Sequence, residues 1–260
     1  MDRCHRIRCT AQWLLISLLW PITAGWAQTR VITLSPHATE LMQAIGGEHL
    51  LVAAAAYSPN LPDSIPRLST FGGIDRERIL QLSPDLVIAW TSGNRPGDLA
   101  WLAAQNIPVF HSEPTRLHDL ADQMRTLGVL TGLANTAEQA AQHFLKALQN
   151  NCKRPDPIPV YLSLWDKPAL TIGKHHWLND VLHHAGLRNT YEHIRQGVFT
   201  VEAEAEASQQ TLPQLSSQSG NSRINPLNLS RPGPTLTHTI HQLCQHPPTG
   251  TSVESPATRH

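Results

Sequence analysis

Short apolar runs at residues 31–34, 50–56, 85–90 and 107–110 recur between stretches of helical periodicity, and this alternation constrains the fold more than any other feature. A strand that is apolar at nearly every position has no face to show to water, so it must be covered on both sides. The cover comes from the helices that link the strands. The first opens at Ser35-Pro36, a capping hydroxyl followed by a proline at the first helical position, and stops at Gly46-Gly47. Further helical stretches fall at 76–82, 98–104 and 117–131. Strands alternating with helices form a parallel sheet with right-handed crossovers. Ligands of such sheets lie beyond the carboxyl ends of the strands, where Ser35, Tyr57 and Trp90 fall.

The second half of the chain repeats the pattern in weaker form. Asn135 can cap a helix that runs to Gln149, before Pro155 and Pro157 break it. Periodicity alone leaves open whether this helix joins two lobes or closes the first. A strand at 160–164 follows, then Trp165 and a segment to Gly173, then a helix over about 176–185 that ends before Gly186. After Glu206 the periodicity is lost: residues 208–221 are rich in Gln and Ser, and 249–260 form a Pro/Ser/Thr tail. No buried strand and covering helix are legible between Ala207 and Arg223, so the second unit reads as shortened.

The N-terminus reads as an export signal. Arg3, Arg6 and Arg8 precede an apolar stretch over 11–22, and Gly25-Trp26-Ala27 places small residues at −3 and −1 of a cleavage site. The apolar stretch is too short for a membrane span. Cys4 and Cys9 lie before it, so neither becomes a lipid-modified first residue. The expected divisions are a signal peptide at 1–27, an N-terminal α/β lobe at 28–134, a connecting helix at 135–152, an incomplete C-terminal α/β lobe at 153–247, and a disordered tail at 248–260. Formal net charge is zero and 15% of residues are charged, which leaves no basic footprint for nucleic acid. Beyond the signal, the chain keeps Cys152 and Cys244. An oxidising compartment permits their pairing, but spacing does not show whether the Cβ atoms meet.

Four motifs stand in order: RVITLSPHATEL from Arg30, Ala56-Tyr57-Ser58-Pro59, FGGIDRERIL from Phe71, and SPDLVIAW from Ser83 to Trp90. In this order and spacing the chain resembles the cobalamin-binding proteins of ABC importers, within a wider periplasmic family that also binds haem and ferric siderophores. The resemblance implies two Rossmann-like α/β lobes with parallel sheets, joined by the helix near 135–152 as a single rigid connector. It implies a role: capturing cobalamin in the periplasm and delivering it to an ABC permease, with the ligand as cargo and no cofactor. Haem or a ferric siderophore is the alternative cargo. It places Pro36, Tyr57, Phe71, Trp90 and Arg231 at the ligand, where Trp165 is also expected as an aromatic at a strand end, and Glu77 and Glu202 as the acids, one per lobe, that meet arginines of the permease. Two departures stand out. The acid expected four residues before Arg231 is replaced by Leu227, and no cysteine stands near His184, where the family has the partner of the Cys244 position.

The residues have plainer readings too. Aromatic rings at strand ends suit a flat macrocycle because they bury large area at little entropic cost, yet each also suits an ordinary core. Glu77 and Glu202, read as first-turn acids, each favour a helix dipole by roughly 0.3–1 kcal/mol without any partner. His175, His176, His183 and His184 read as solvated surface histidines, since no third ligand stands at metal-binding spacing. Gly-x-Ser-x-Gly, His-Glu-x-x-His and a glycine-rich phosphate loop are absent from the chain, so a binding role is expected over a metal-dependent enzyme.

Overall fold

The computed structural model describes residues 28–149, 152, 154–209, 211–217 and 229–249. The expected signal sequence, nearly all of the expected tail and the Leu227 position lie outside the described residues.

Strands β1 (Val31–Thr33), β2 (Leu51–Ala55), β3 (Arg67–Leu68), β4 (Leu86–Trp90) and β5 (Val109–Ser112) form one five-stranded sheet of order β3-β2-β1-β4-β5, parallel throughout. Alternation along the strands splits their side chains between two cores. Val31, Leu51, Leu86 and Ile88 pack with helices α1 (Pro36–Ala44) and α4 (Leu117–Thr131). Ile32, Ala53, Val87 and Ala89 pack with α2 (Arg76–Leu82) and α3 (Pro96–Ala104). That is why the strands read as unbroken apolar runs. Ser35 caps α1, its Oγ accepting from the Ala38 N–H at 3.4 Å, and Gly46 at φ +77° ends it in the left-handed region. Strands β2 and β5 begin and end within two residues of the apolar runs at 50–56 and 107–110.

Helix α5 (Ala134–Gln149) buries Ala137, Ala141, Phe144 and Leu148, one stripe at helical spacing. It lies so close to α4 that a Cβ on Gly128 would collide with that of Ala137. The core containing α4 and α5 continues into the second lobe through Val160, Leu162, Val181, Leu182 and Ile240. Helix α5 therefore packs against elements of both lobes.

The second lobe has a three-stranded sheet of order β11-β6-β9, from β6 (Ile158–Ser163), β9 (Leu187–Asn189) and β11 (Gln214–Ser216), all parallel. Beside it β7 (Trp165–Asp166), β8 (Ala169–Ile172) and β10 (Val198–Thr200) form an antiparallel sheet. Helices α6 (Leu178–His184), α7 (Ala203–Ser208) and α8 (Leu236–Gln245) complete the lobe. One expectation for this lobe is corrected. A strand does form between Ala207 and Arg223: β11 pairs with β6 through Gln214, Leu215 and Ser216, and buries Leu215. The Tyr161 N–H donates to the Pro213 carbonyl and the Ser217 N–H to the Ser163 carbonyl, both at 3.0 Å, which extends the ladder at either end. One leucine and main-chain pairing are enough for an edge strand, and neither leaves a periodic signal.

The cysteines are also joined. Cys152 and Cys244 form a disulfide with Cα atoms 5.7 Å apart. The Cys152 N–H donates to the His184 carbonyl at 3.0 Å, so a cysteine beyond α5 reaches the place where the family resemblance put the missing partner. The bond spans a sequence separation of 92 residues and ties α8 to the chain leaving α5. Closing a loop of this length stabilises by roughly 4–5 kcal/mol in the chain-entropy picture, and native disulfides are typically worth about 2–4 kcal/mol. Cys244→Ser should therefore lower unfolding stability by about 2–4 kcal/mol in denaturant melts, without changing the far-UV spectrum. A melt unaltered by the substitution would show that the bond constrains nothing.

Candidate ligand-binding cleft

Order β3-β2-β1-β4-β5 has its switch point between β1 and β4: α1 leaves β1 on one face and α3 leaves β4 on the other. Loops diverge there and a crevice opens. Asn94 bridges the divergence. Its Nδ2 donates to the Leu34 carbonyl at 3.0 Å after β1, and its Oδ1 accepts from the Trp90 N–H at 2.8 Å on β4. Trp90 thus projects from a pinned backbone.

The Trp90 ring rests edge-on against His37, with centroids 5.1 Å apart and an interplanar angle of 84°. His37 is fully buried. The Ser112 hydroxyl donates to Gln123 Oε1 at 2.7 Å, which leaves its oxygen to accept from His37 Nε2–H at 2.8 Å. His37 Nδ1 then accepts from the Ser35 hydroxyl at 3.1 Å. Burial, with a smaller contribution from the Arg231 charge, lowers the His37 pKa to about 4. A neutral imidazole of defined tautomer braces the tryptophan.

A cleft of about 520 Å³ opens beside Trp90, within the size range of small-molecule sites. Its first-lobe wall is Trp90, Ser92 and residues 113–115. Glu113 there accepts from the Ser92 N–H at 2.7 Å and from its hydroxyl at 2.9 Å, which fixes the loop after β4. The second-lobe wall comprises Leu164, residues 175–178, Gly197, Val198, Ser217, Leu229 and Ser230. The Leu117 N–H donates to Asp180 at 2.9 Å and so links α4 to α6.

Of the residues expected at a ligand, Trp90 alone lines this cleft. Tyr57 and Phe71 follow β2 and β3 at the same edge of the sheet, and are 92% and 96% exposed. Trp165 on β7 is 51% exposed, with its Nε1–H donating to the Lys167 carbonyl at 3.0 Å. Pro36 is the first residue of α1, but the Ser35 cap already engages the Ala38 N–H. Arg231 does not line the cleft either. Its Nε–H donates to Glu40 Oε1 at 2.6 Å, and the Thr235 hydroxyl donates to Glu40 Oε2 at 2.8 Å. The pair is enclosed, with side chains 15% and 4% exposed, and its acid comes from α1 in the other lobe rather than from four residues upstream.

Glu77 is exposed in the first turn of α2 and accepts from Gln81 at 3.3 Å. Glu202 is exposed but is not on a first turn: α7 begins at Ala203, and the Glu206 N–H donates to the Glu202 carbonyl at 2.9 Å. The first-turn acids of α7 are Glu204 and Glu206.

Among the histidines, His183 is exposed and pairs with Glu192 at 2.8 Å, as a surface residue would. His176 departs from that expectation. It is half-buried in the cleft wall, and burial lowers its pKa to about 4. Among the described residues, no group of three or more His, Cys, Asp and Glu is arranged to hold a metal ion.

His37, Asn94 and Glu40 were missed by sequence reasoning. The signal for Glu40 was its place in HATELM, where every residue from His37 to Met42 is buried. An acid in so enclosed a helix needs a cation.

Two lobes of α/β structure flank the cleft, and comparison places the chain in a family. Residues 31–212 match the periplasmic binding protein family, to which the chain belongs. It is 36% identical over 187 residues to a vitamin B12-binding protein of Yersinia pestis (strain Pestoides F), spanning 70% of this chain and 66% of that relative. The chain thus spans slightly less than two thirds of the length of the curated relatives it matches. The crystal structure of the periplasmic vitamin B12 binding protein BtuF of Vibrio cholerae superposes with TM-score 0.71 at 27% identity, covering 83% of this chain and 95% of that one. A periplasmic heme binding protein from Pseudomonas aeruginosa shares the fold, with TM-score 0.68 at 19% identity over 86% of this chain and 95% of that one.

Neutral His37 and His176 contribute to the acid response, together with His184, whose pKa burial also lowers. Above pH 6.5 folded and unfolded chains both hold the His37 and His176 rings neutral, and the stability is full. Below it the unfolded chain takes up protons that the folded chain refuses until about pH 4. Stability should therefore fall as pH drops from 6.5 to 4, by up to about 3 kcal/mol for His37. Urea midpoints measured across that window should decline, and less steeply in His37→Gln. A midpoint independent of pH there would refute the assignment.

Proposed function

We propose that this protein captures cobalamin in the periplasm and delivers it to the permease of an ABC importer at the inner membrane. The reading rests on the cleft beside Trp90 at the β1–β4 switch point, and on relatives named for vitamin B12 binding. Tyr57, Phe71 and Trp165 stand exposed at strand ends. Leaving three large rings in water wastes burial that a flat ligand would recover, at roughly 25 cal/mol per Å² of apolar surface. Cobalamin offers such a face. Haem and siderophores carry acidic groups, and the described lining of the cleft includes no Lys or Arg to receive them.

In this reading residues 1–27 are a signal peptide cleaved after Ala27. Residues 28–134 and 153–247 are the two lobes, 135–152 carry the connecting helix, and 248–260 trail beyond the fold. Arg231 serves the site by holding the second lobe to Glu40 on α1, with its charge acting on His37, rather than by touching the ligand.

Titration with cyanocobalamin should quench tryptophan fluorescence with one ligand per chain. Trp90→Ala should weaken binding about tenfold or more, since a stacked ring contributes roughly 0.5–1.5 kcal/mol beyond its buried area. Equal affinity in the variant would remove Trp90 from the site.

Glu77 and the acids at the start of α7 present carboxylates from opposite lobes for docking on the permease. Glu77→Arg should leave cyanocobalamin affinity intact and abolish cobalamin-dependent growth. Glu202→Arg and Glu204→Arg, made separately, should show which α7 acid is the second contact. Normal uptake with Glu77→Arg would contradict the docking role.

A further inference from the structure

His176 is a polar group of the cleft wall that the proposed function leaves unused. Its Nδ1 accepts a hydrogen bond from the Leu178 N–H at 3.2 Å, and its ring lies against the buried Trp177 at 5.3 Å between centroids. A neutral imidazole that accepts at Nδ1 carries its proton on Nε2. Burial is the sole cause of its lowered pKa, so no neighbouring charge perturbs the ring and it remains neutral at neutral pH. Among the described residues the Nε2–H has no hydrogen-bond partner. This is an oriented, uncharged donor in a wall that ligand would touch.

The charges nearby restrict what that donor accepts. The described lining has Glu113 as its one carboxylate and no lysine or arginine. A carboxylate entering the cleft would lose its hydration with no lysine or arginine in the described lining to replace it, and would meet Glu113. A carboxamide carbonyl has one strong acceptor and no charge to desolvate.

We propose that His176 is a ligand-binding residue that donates its Nε2–H to an uncharged carboxamide carbonyl on the rim of the bound macrocycle, so that this cleft selects amide-bearing over carboxylate-bearing ligands. The proposal rests on reading the cleft as the ligand site. His176→Leu removes the donor, whereas His176→Gln offers an oxygen to the Leu178 N–H and an N–H to the ligand. Calorimetric titration of the full protein with cyanocobalamin should show about tenfold weaker binding for His176→Leu and recovery to near wild type for His176→Gln, with both variants melting within a few degrees of wild type. Among cyanocobalamin derivatives with one peripheral carboxamide hydrolysed to the acid, at least one should bind about tenfold more weakly than the parent. Unchanged affinity in His176→Leu, equal losses in Leu and Gln, or parent-like binding of every monoacid would each overturn the proposal.

Haem and haem dimethyl ester separate this from the cobalamin reading. If the protein takes haem and no corrinoid, the cobalamin reading fails. The His176 proposal then stands only if the ester, with carbonyls in place of carboxylates, binds more tightly than free haem and His176→Leu removes that preference. Binding of none of these ligands would overturn both.

Discussion

A parallel sheet covered on both faces must pass its connections to either side, and in this protein the change of side falls between β1 and β4. Everything at the cleft follows from that constraint. The connections diverge at the carboxyl ends of β1 and β4, and Asn94 spans the gap with one hydrogen bond to each side. Ser35 starts α1 on one side, Trp90 ends β4 on the other, and His37 fills the space between them with every ring nitrogen engaged. A buried polar chain of this kind stabilises only when each member is satisfied, and Ser35, His37, Ser112 and Gln123 meet that condition in sequence. The result is a tryptophan whose position is set before any ligand arrives, which lowers the entropy lost on binding.

The second lobe is held to this platform in three ways. The apolar core runs unbroken from α4 and α5 into β6, α6 and α8. The Cys152–Cys244 bond closes the far end. The Arg231–Glu40 pair crosses between the lobes in an enclosed setting, where losing one partner would strand the other charge at a cost of about 3–5 kcal/mol. Such ties favour a stiff pair of lobes over a freely hinged one. The small second sheet is therefore not a loose remnant: β6 is paired on both sides, and its neighbours need only a few residues each.

Legibility in the sequence tracked the range of the interactions. The first lobe could be read because its determinants are local: apolar runs, the Ser35-Pro36 start, the Gly46 stop. Helices at 76–82 and 117–131 formed with the bounds expected. β11 escaped notice because three residues with one leucine carry no period. Glu40 and Arg231 are 191 residues apart, and His37 and Ser112 are 75 apart, so nothing local marks either as a pair. His176 looked like one of several surface histidines, since it lies in the loop before α6 and its burial there leaves no helical period in the sequence. Trp90 was identified because strand ends and aromatic chemistry coincide there.

The central claim is that the groove between the lobes is the place where a corrinoid sits. A crystal structure of the protein grown with cyanocobalamin tests it most directly. The account predicts one corrin between the lobes, its edge or face in van der Waals contact with Trp90 and with His176 hydrogen-bonded to a peripheral amide. A corrin bound away from the β1–β4 switch point, or a cleft left empty at saturating ligand, would contradict it.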